Sequence, residues 1–252
     1  MRDVPEAMPG YFVGYLTKDE LPSSMALLPP YPAGDSAAFA LDQQIQLDAK
    51  ALRGSPRWEL AASDADLDRA HALGTFDCAL GVAITAEDTP RLFQLLQRTM
   101  MDAVNSTNAA KFHYSRARPF MALKQSTCSP DDEDQLRGPR SGSYPSGHTA
   151  LGWAAALVLA EVAPDSTDAV LMRGRSYGES RLVCNVHWLS DILQGRHLGA
   201  ATVARLQSVP EFREDVEVAR QELARARAKN SGPNRDCAAE AAALSQRIPG
   251  VL

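Results

Sequence analysis

Thr149 to Ala160 read TALGWAAALVLA, a run without a charge that Glu161 ends. It is too short for a bilayer, which needs about 20 apolar residues in a helix. It reads instead as the middle of a buried helix from about Ser146 to Val162. The surroundings of that helix decide the fold. Upstream, Asp35 is placed to cap a helix carrying Phe39, Ile45, Leu47 and Leu52 that stops near Gly54. Ser55-Pro56 and Thr89-Pro90 each put Pro at a first helical position, where its missing N–H costs nothing. After the second, Leu92, Leu95, Leu96, Met100 and Val104 recur three or four apart, as one helix face requires. That helix is expected to reach Arg118, because Pro119 disfavours helical geometry at the residue before it.

Downstream, helices are expected over about Asp168–Tyr177, His187–Leu206 and Pro210–Lys229, with an Ala-rich helical segment over Asp236–Arg247. Residues 126 to 144 read as a loop with an acidic run, Asp131 to Asp134. No strand run of period two and no internal repeat is found. The expectation is an all-α fold, a single-domain helical bundle. An extended N-terminal arm over 1–34, rich in Pro and Gly, precedes a helical domain over 35–230 and a tail over 231–252.

Composition narrows the function. Of 252 residues, 45% are hydrophobic and 23% charged, as in an ordinary folded protein. The formal charge of -5 argues against nucleic acid as a partner. No stretch reads as a membrane span. The N-terminus lacks a basic patch followed by an apolar region, so a signal peptide is expected to be absent or already removed. Cys78, Cys128, Cys184 and Cys237 form no CxxC pair, which argues against a zinc ribbon.

Three blocks carry chemistry. In KFHYSRARP, Lys111 and Arg118 lie seven residues apart, which on a continuous helix puts both on one face. Alone, the block is explained as a solvated basic face. In GSYPSGHT, Ser146 and Gly147 stand at the start of the apolar helix, where free N–H groups and the helix dipole favour an anion. Alone, this is a helix cap that leaves His148 unexplained. In GESRLVCNVHWLSD, His187 and Asp191 are spaced i, i+4, so a carboxylate can bond one imidazole nitrogen and leave the other free. A surface His–Asp pair or a metal-ligand pair has the same spacing. Together the blocks supply three cations, a helix N-terminus, two histidines and a carboxylate, a set suited to gripping a tetrahedral oxyanion and attacking its centre.

The ordered set Lys111-x6-Arg118-Pro119, Pro145-Ser-Gly-His148 and Ser180-Arg181-x5-His187-x3-Asp191 resembles the signature of the type 2 phosphatidic acid phosphatase superfamily, which vanadium haloperoxidases share. The strings GSYPSGHT (Gly142 to Thr149) and GESRLVCNVHWLSD (Gly178 to Asp191), with Met25-Ala-Leu-Leu-Pro-Pro30, look like those of bacterial class A non-specific acid phosphatases. The likeness covers about residues 11 to 225; the acidic loop and the tail with Cys237 fall outside it.

The resemblance implies a periplasmic phosphomonoesterase that needs no metal or other cofactor and works through a phosphohistidine. His187 would be the nucleophile, Asp191 its orienting partner and His148 the general acid. Lys111, Arg118 and Arg181 would hold the phosphoryl oxygens with Ser146, Gly147 and the N–H of His148. Partners would be small phosphomonoesters, nucleotides included, with phosphate or vanadate as inhibitor, and a homodimer is plausible. A periplasmic setting permits disulfides, and Cys128–Cys184 with Cys78–Cys237 is the pairing suggested. Glu179 would line the pocket mouth or sit on the surface; His113 would be structural; His71 and His197 would be surface or packing residues. A lipid phosphatase, a vanadate haloperoxidase and a phosphate-binding scaffold are the alternatives.

Overall fold

The structure, a computed structural model, describes residues 1–229 and 232–251. The boundary expected between 230 and 231 lies outside the described residues. The arm carries a two-stranded antiparallel hairpin, β1 (Glu6–Met8) with β2 (Tyr11–Phe12), and a short helix α1 (Ser24–Leu27). The helices that follow are α2 (Ala37–Ala49), α3 (Pro56–Ser63), α4 (Arg69–Gly74), α5 (Asp77–Leu80), α6 (Pro90–Ser106), α7 (Asn108–Tyr114), α8 (Pro119–Ala122) and α9 (Glu133–Arg137). Then come α10 (Gly147–Val162), α11 (Thr167–Val183), α12 (Leu189–Leu206), α13 (Pro210–Ala228) and α14 (Cys237–Leu244). The all-α expectation holds.

The apolar stretch becomes α10, and it is central because it is apolar all round. Helices α6, α11 and α12 pack directly against it, and α13 covers α6. Leu92, Leu95 and Leu96 on α6 meet Ala150, Ala154, Val158 and Leu159 on α10 in one core. Each such leucine contributes about 1.5–3 kcal/mol by leaving water. Small residues set how closely the helices approach. A Cβ at Gly199 on α12 would lie 2.6 Å from the Ala150 carbonyl oxygen, and one at Gly178 on α11 would lie 2.7 Å from Thr149 Cγ2. The arm is pinned to this body. Tyr15 and Leu16 donate backbone N–H groups to Asp102, the Tyr15 hydroxyl donates to Asp215 at 2.7 Å, and Arg98 lies over the Tyr15 ring at 3.7 Å.

Several boundaries differ from the sequence reading. The α2 cap is Ser36, not Asp35; its hydroxyl accepts from the Phe39 N–H. The hairpin escaped notice because its strands are too short to show a period, and Gly10 turns them at φ +82°. Within 126–144 the acidic run starts the short helix α9. Helix α7 ends at Tyr114, four residues before Arg118, because Ser115 adopts a left-handed conformation and caps it. Helix α11 runs to Val183, past the expected end at Tyr177. Its glycines look like breaks in sequence but are contact points with α10. Helix α12 starts at Leu189, so His187 precedes it.

Both suggested disulfides are present, Cys78–Cys237 and Cys128–Cys184. The first ties α14 to α5; the second ties the start of the acidic segment to the end of α11.

Gly199→Ala should lower stability by about 1–3 kcal/mol, the usual cost of overpacking, because the Cβ meets backbone that cannot rotate away. Gly34→Ala, with open space around it, should change little. Urea unfolding of both variants tests the close α10–α12 crossing.

Candidate active site

The three blocks converge. Residues from α7, the segment after it, the N-terminus of α10, the end of α11 and the turn before α12 surround one point. Hydrogen bonds fix the convergence: the Ser146 N–H donates to the Asp191 carbonyl at 3.0 Å, and the Val186 and His187 N–H groups donate to the Arg181 carbonyl at 3.1 and 3.2 Å.

The cations arrive by different routes. Lys111 projects from α7, and its ammonium donates to the carbonyls of Gly142 at 2.9 Å and Pro145 at 2.8 Å. Arg118 comes from extended chain, so the pair does not share a helix face as the spacing had suggested. It still reaches the same place, donating to Ser141 O at 3.0 Å, Val186 O at 2.9 Å and His187 Nε2 at 3.0 Å. Arg181 is 4% exposed, yet its Nε and Nη1 have no acceptor among the described residues. Desolvation acts on all three, and repulsion by a neighbouring cation adds to it at Lys111 and Arg118. Lys111 is pushed down to about 7 by desolvation and then by Arg118, and Arg118 down to about 10 by desolvation and then by Arg181. Lys111 is half-buried as a whole, with its charged end the gripped part.

Ser146 caps α10. Its hydroxyl oxygen accepts from the Thr149 N–H at 3.2 Å and from the Thr149 hydroxyl at 2.9 Å, which leaves its own proton to donate. Gly147 and His148 supply N–H groups of the first helical turn, which no helical carbonyl can satisfy.

The two histidines differ. The His187 ring is buried, and its Nε2 accepts from Arg118, so that nitrogen carries the lone pair. Desolvation and then Arg118, Lys111 and Arg181 hold it well below the usual imidazole range, which keeps the ring neutral. Nδ1 faces Asp191 Oδ2 at 3.5 Å, a contact without hydrogen-bond alignment. The pair is therefore looser than its spacing suggested, because His187 lies outside the helical register. Asp191 spends its bonds elsewhere: Oδ1 on Arg116 at 2.6 Å and Oδ2 on the Trp188 N–H at 2.7 Å, which caps α12. The His148 ring stacks on Tyr177 at 4.8 Å, and its Nε2 donates to the Asp64 carbonyl at 2.6 Å. Desolvation and then Arg181 lower it too.

Other expected residues lie apart. Glu179 pairs with Arg175 at 2.7 Å and Arg196 at 3.5 Å, on the flank of α11 away from Arg181. His113 is exposed, its ring edge-on to Tyr114; His71 contacts Ser63; His197 is exposed.

Sequence reasoning missed the supporting shell. Arg116, inside the first block, joins Asp191 to Asp42 on α2 at 2.8 Å, and Asp42 also takes the Ser190 N–H and hydroxyl. Gln46 on α2 holds the His187 carbonyl at 2.7 Å. Asp64 is fully buried, with Arg173 on both oxygens and the Ser180 hydroxyl at 2.6 Å. The one signal in the sequence was a third cation, Arg116, in a block where two were explained; its acids lie 74 and 75 positions away.

A fold of packed helices with buried cations and two histidines gathered at the N-terminus of its central helix defines a class, and comparison with known proteins places the chain in it. The PAP2 superfamily model matches residues 94–214. The chain is 40% identical over 206 residues to a non-specific acid phosphatase of Salmonella typhimurium, covering 81% of this chain and 82% of that one. It is 42% identical over 212 residues to that of Providencia stuartii, covering 84% and 85%. An acid phosphatase of Zymomonas mobilis is 39% identical over 82% of this chain and 78% of its own. Among solved structures, a bacterial vanadium-dependent iodoperoxidase shares the fold with TM-score 0.52 and 17% identity, over 81% of this chain and 62% of that one. The chain belongs to the PAP2 superfamily, within its non-specific acid phosphatase group.

Arg116→Met should cost about 3–5 kcal/mol, because it leaves Asp42 and Asp191 buried without their shared cation. Equilibrium denaturation measures it; a loss below about 1 kcal/mol, the scale of an exposed pair, would contradict this reading of the brace.

Proposed function

We propose that this phosphatase hydrolyses a broad range of phosphate monoesters, nucleotides among them, through a phosphohistidine on His187. The observation that carries the reading is Arg181: a buried guanidinium with two nitrogens, Nε and Nη1, that have no acceptor among the described residues, beside Arg118, Lys111 and the start of α10. An uncompensated buried cation is costly unless a ligand anion completes it. A phosphoryl group in transfer spreads charge over its equatorial oxygens, which is the charge such a cradle stabilises.

In the proposed reaction the His187 Nε2 lone pair attacks phosphorus, and the bond to the ester oxygen breaks. His148 gives its proton to the departing alkoxide. Lys111, Arg118, Arg181, Ser146 and the N–H groups of Gly147 and His148 hold the other oxygens. Water, deprotonated by His148, then attacks the phosphohistidine and restores His187 and free phosphate. Asp191, at 3.5 Å from Nδ1, favours the tautomer that leaves Nε2 unprotonated. Arg118 must leave Nε2 for a phosphoryl oxygen as substrate enters. Breadth follows from the cradle, since its groups address oxygens that every monoester shares.

The lowered His148 conflicts with a proton donor only in the free enzyme. Burial is the larger cause of that lowering and Arg181 the next; a phosphate dianion among the cations offsets their share and favours a proton on His148 as substrate binds. Opposite protonation demands on His187 and His148 give a bell-shaped pH–rate profile. Two disulfides fit residence in an oxidising compartment such as the periplasm, and no helix among the described residues is long and apolar enough to cross a membrane.

His187→Ala should fold, by circular dichroism, yet lose essentially all turnover. Rapid denaturing quench with labelled substrate should trap the phosphoryl group on His187 of the native enzyme. Retained activity in the variant, or label on another residue, would overturn the mechanism. Phosphate or vanadate should inhibit competitively. Phosphate binding at pH 8 should take up protons, because free Lys111 titrates near 7 and the bound dianion raises it. Calorimetry in buffers of different ionisation enthalpy reads this, and Lys111→Met should take up fewer protons.

A further inference from the structure

The C-terminal segment lies beyond residues 94–214 that the PAP2 model matches, yet it packs against the support of His148. The path is short and buried. Asp64 terminates α3, and its backbone carbonyl accepts the His148 Nε2 proton at 2.6 Å. The position of that carbonyl is set by the Asp64 side chain, which is clamped by Arg173 at 2.6 and 3.2 Å and by the Ser180 hydroxyl at 2.6 Å. Arg57 in turn donates to Ser180 at 2.9 Å. The remaining edge of the Arg173 guanidinium, Nε, faces Glu240 Oε2 at 3.4 Å, an ionic contact without hydrogen-bond alignment. Glu240 sits on α14, is 8% exposed, and faces Arg235 at the same distance. One turn earlier on α14, Cys237 is bonded to Cys78.

We propose that Glu240, Arg173 and Asp64 form a positioning relay for His148, and that the disulfide-tethered C-terminal helix thereby serves catalysis. The proposal rests on His148 being the general acid. Three effects follow from the geometry. The Asp64 carbonyl requires the proton on Nε2, which leaves Nδ1 as the nitrogen to exchange a proton with the ester oxygen. As the end of a helix, that carbonyl also stabilises an imidazolium. Glu240 supplies a second carboxylate among Arg57, Arg173 and Arg235, so the field at His148 is less positive than these three arginines alone would make it. The other groups facing His148 are Tyr177 and Arg181 from α11, Arg118 from the segment after α7, and His187 from the turn before α12. None of these lies on α14, so α14 touches the support of the ring through Arg173 and Asp64, and the Glu240 charge acts on the ring through space.

A positioning role for the general acid has a signature that general loss of structure lacks. An aryl ester with a strongly acidic phenol leaves without much protonation; an alkyl ester does not. The probes are p-nitrophenyl phosphate and a simple alkyl phosphate, assayed for kcat and KM across pH. In Glu240→Gln the alkyl ester should lose about tenfold in kcat, part of the hundredfold or more that a general acid supplies. The aryl ester should change by less than about twofold, and KM for both should hold. The alkaline limb of the alkyl-ester profile should move to lower pH. Glu240→Asp should recover part of the alkyl activity. A Cys78→Ser/Cys237→Ser double variant, which spares Cys128–Cys184, should reproduce the selective loss and so guards against a folding defect in the first variant. Equal loss on both esters, or none, in folded variants would overturn the relay. His148→Ala separates the two readings: if it shows no selectivity for the alkyl ester, the assignment of the general acid itself fails, whereas selectivity there without selectivity in Glu240→Gln refutes only the relay.

Discussion

The buried carboxylates behind this site are bonded to arginines other than Arg118 and Arg181, and that pairing governs the rest. Asp191 and Asp42 share Arg116; Asp64 has Arg173. With the acids bonded to Arg116 and Arg173, Lys111, Arg118 and Arg181 make up a net positive group. Were Asp191 to bond Arg118 instead, one of those three cations would be cancelled. The brace also fixes geometry, since Arg116 links α2 to the start of α12 and lies between Tyr31 and Trp188 at 5.0 and 5.4 Å. A positive field in an otherwise acidic protein then steers anions to one place.

The helices contribute by being close. Small residues at the crossings of α10 with α11 and α12 let three helix ends meet near Ser146, and that meeting brings residues from five segments around one point. The stability of these crossings and the competence of the site are therefore coupled. A side chain that widened the α10–α12 crossing at Gly195, where a Cβ would lie 2.5 Å from the Ser146 carbonyl, would move the first turn of α10 and its N–H groups with it.

Much of this was legible in the sequence, for identifiable reasons. Thr149–Ala160 announces its own burial, and Pro at first helical positions marks α3 and α6. The three blocks stand out because cations and histidines gather in a chain with an acidic balance. The missing parts were those that depend on partners far away. Asp42, Gln46 and Asp64 look like ordinary polar helix residues until Arg116, His187 and Arg173 are placed beside them. Periodicity also misled at two points. Ser115 takes a left-handed conformation that no residue preference announces, so α7 stopped before Arg118. The spacing of His187 and Asp191 matched a helical turn although only Asp191 lies in the helix. Both errors left the convergence intact, because the side chains reach the same point from other backbone.

In the proposed mechanism His187 Nε2 faces the phosphorus position of a cradle made by Lys111, Arg118, Arg181 and the first turn of α10. A crystal structure of the protein with bound vanadate would show whether it does. Vanadium should adopt trigonal-bipyramidal geometry, with His187 Nε2 at one apex, His148 toward the other, and equatorial oxygens on the three cations and the N–H groups of Gly147 and His148. Vanadate bound away from Nε2, or held without Arg181, would contradict it.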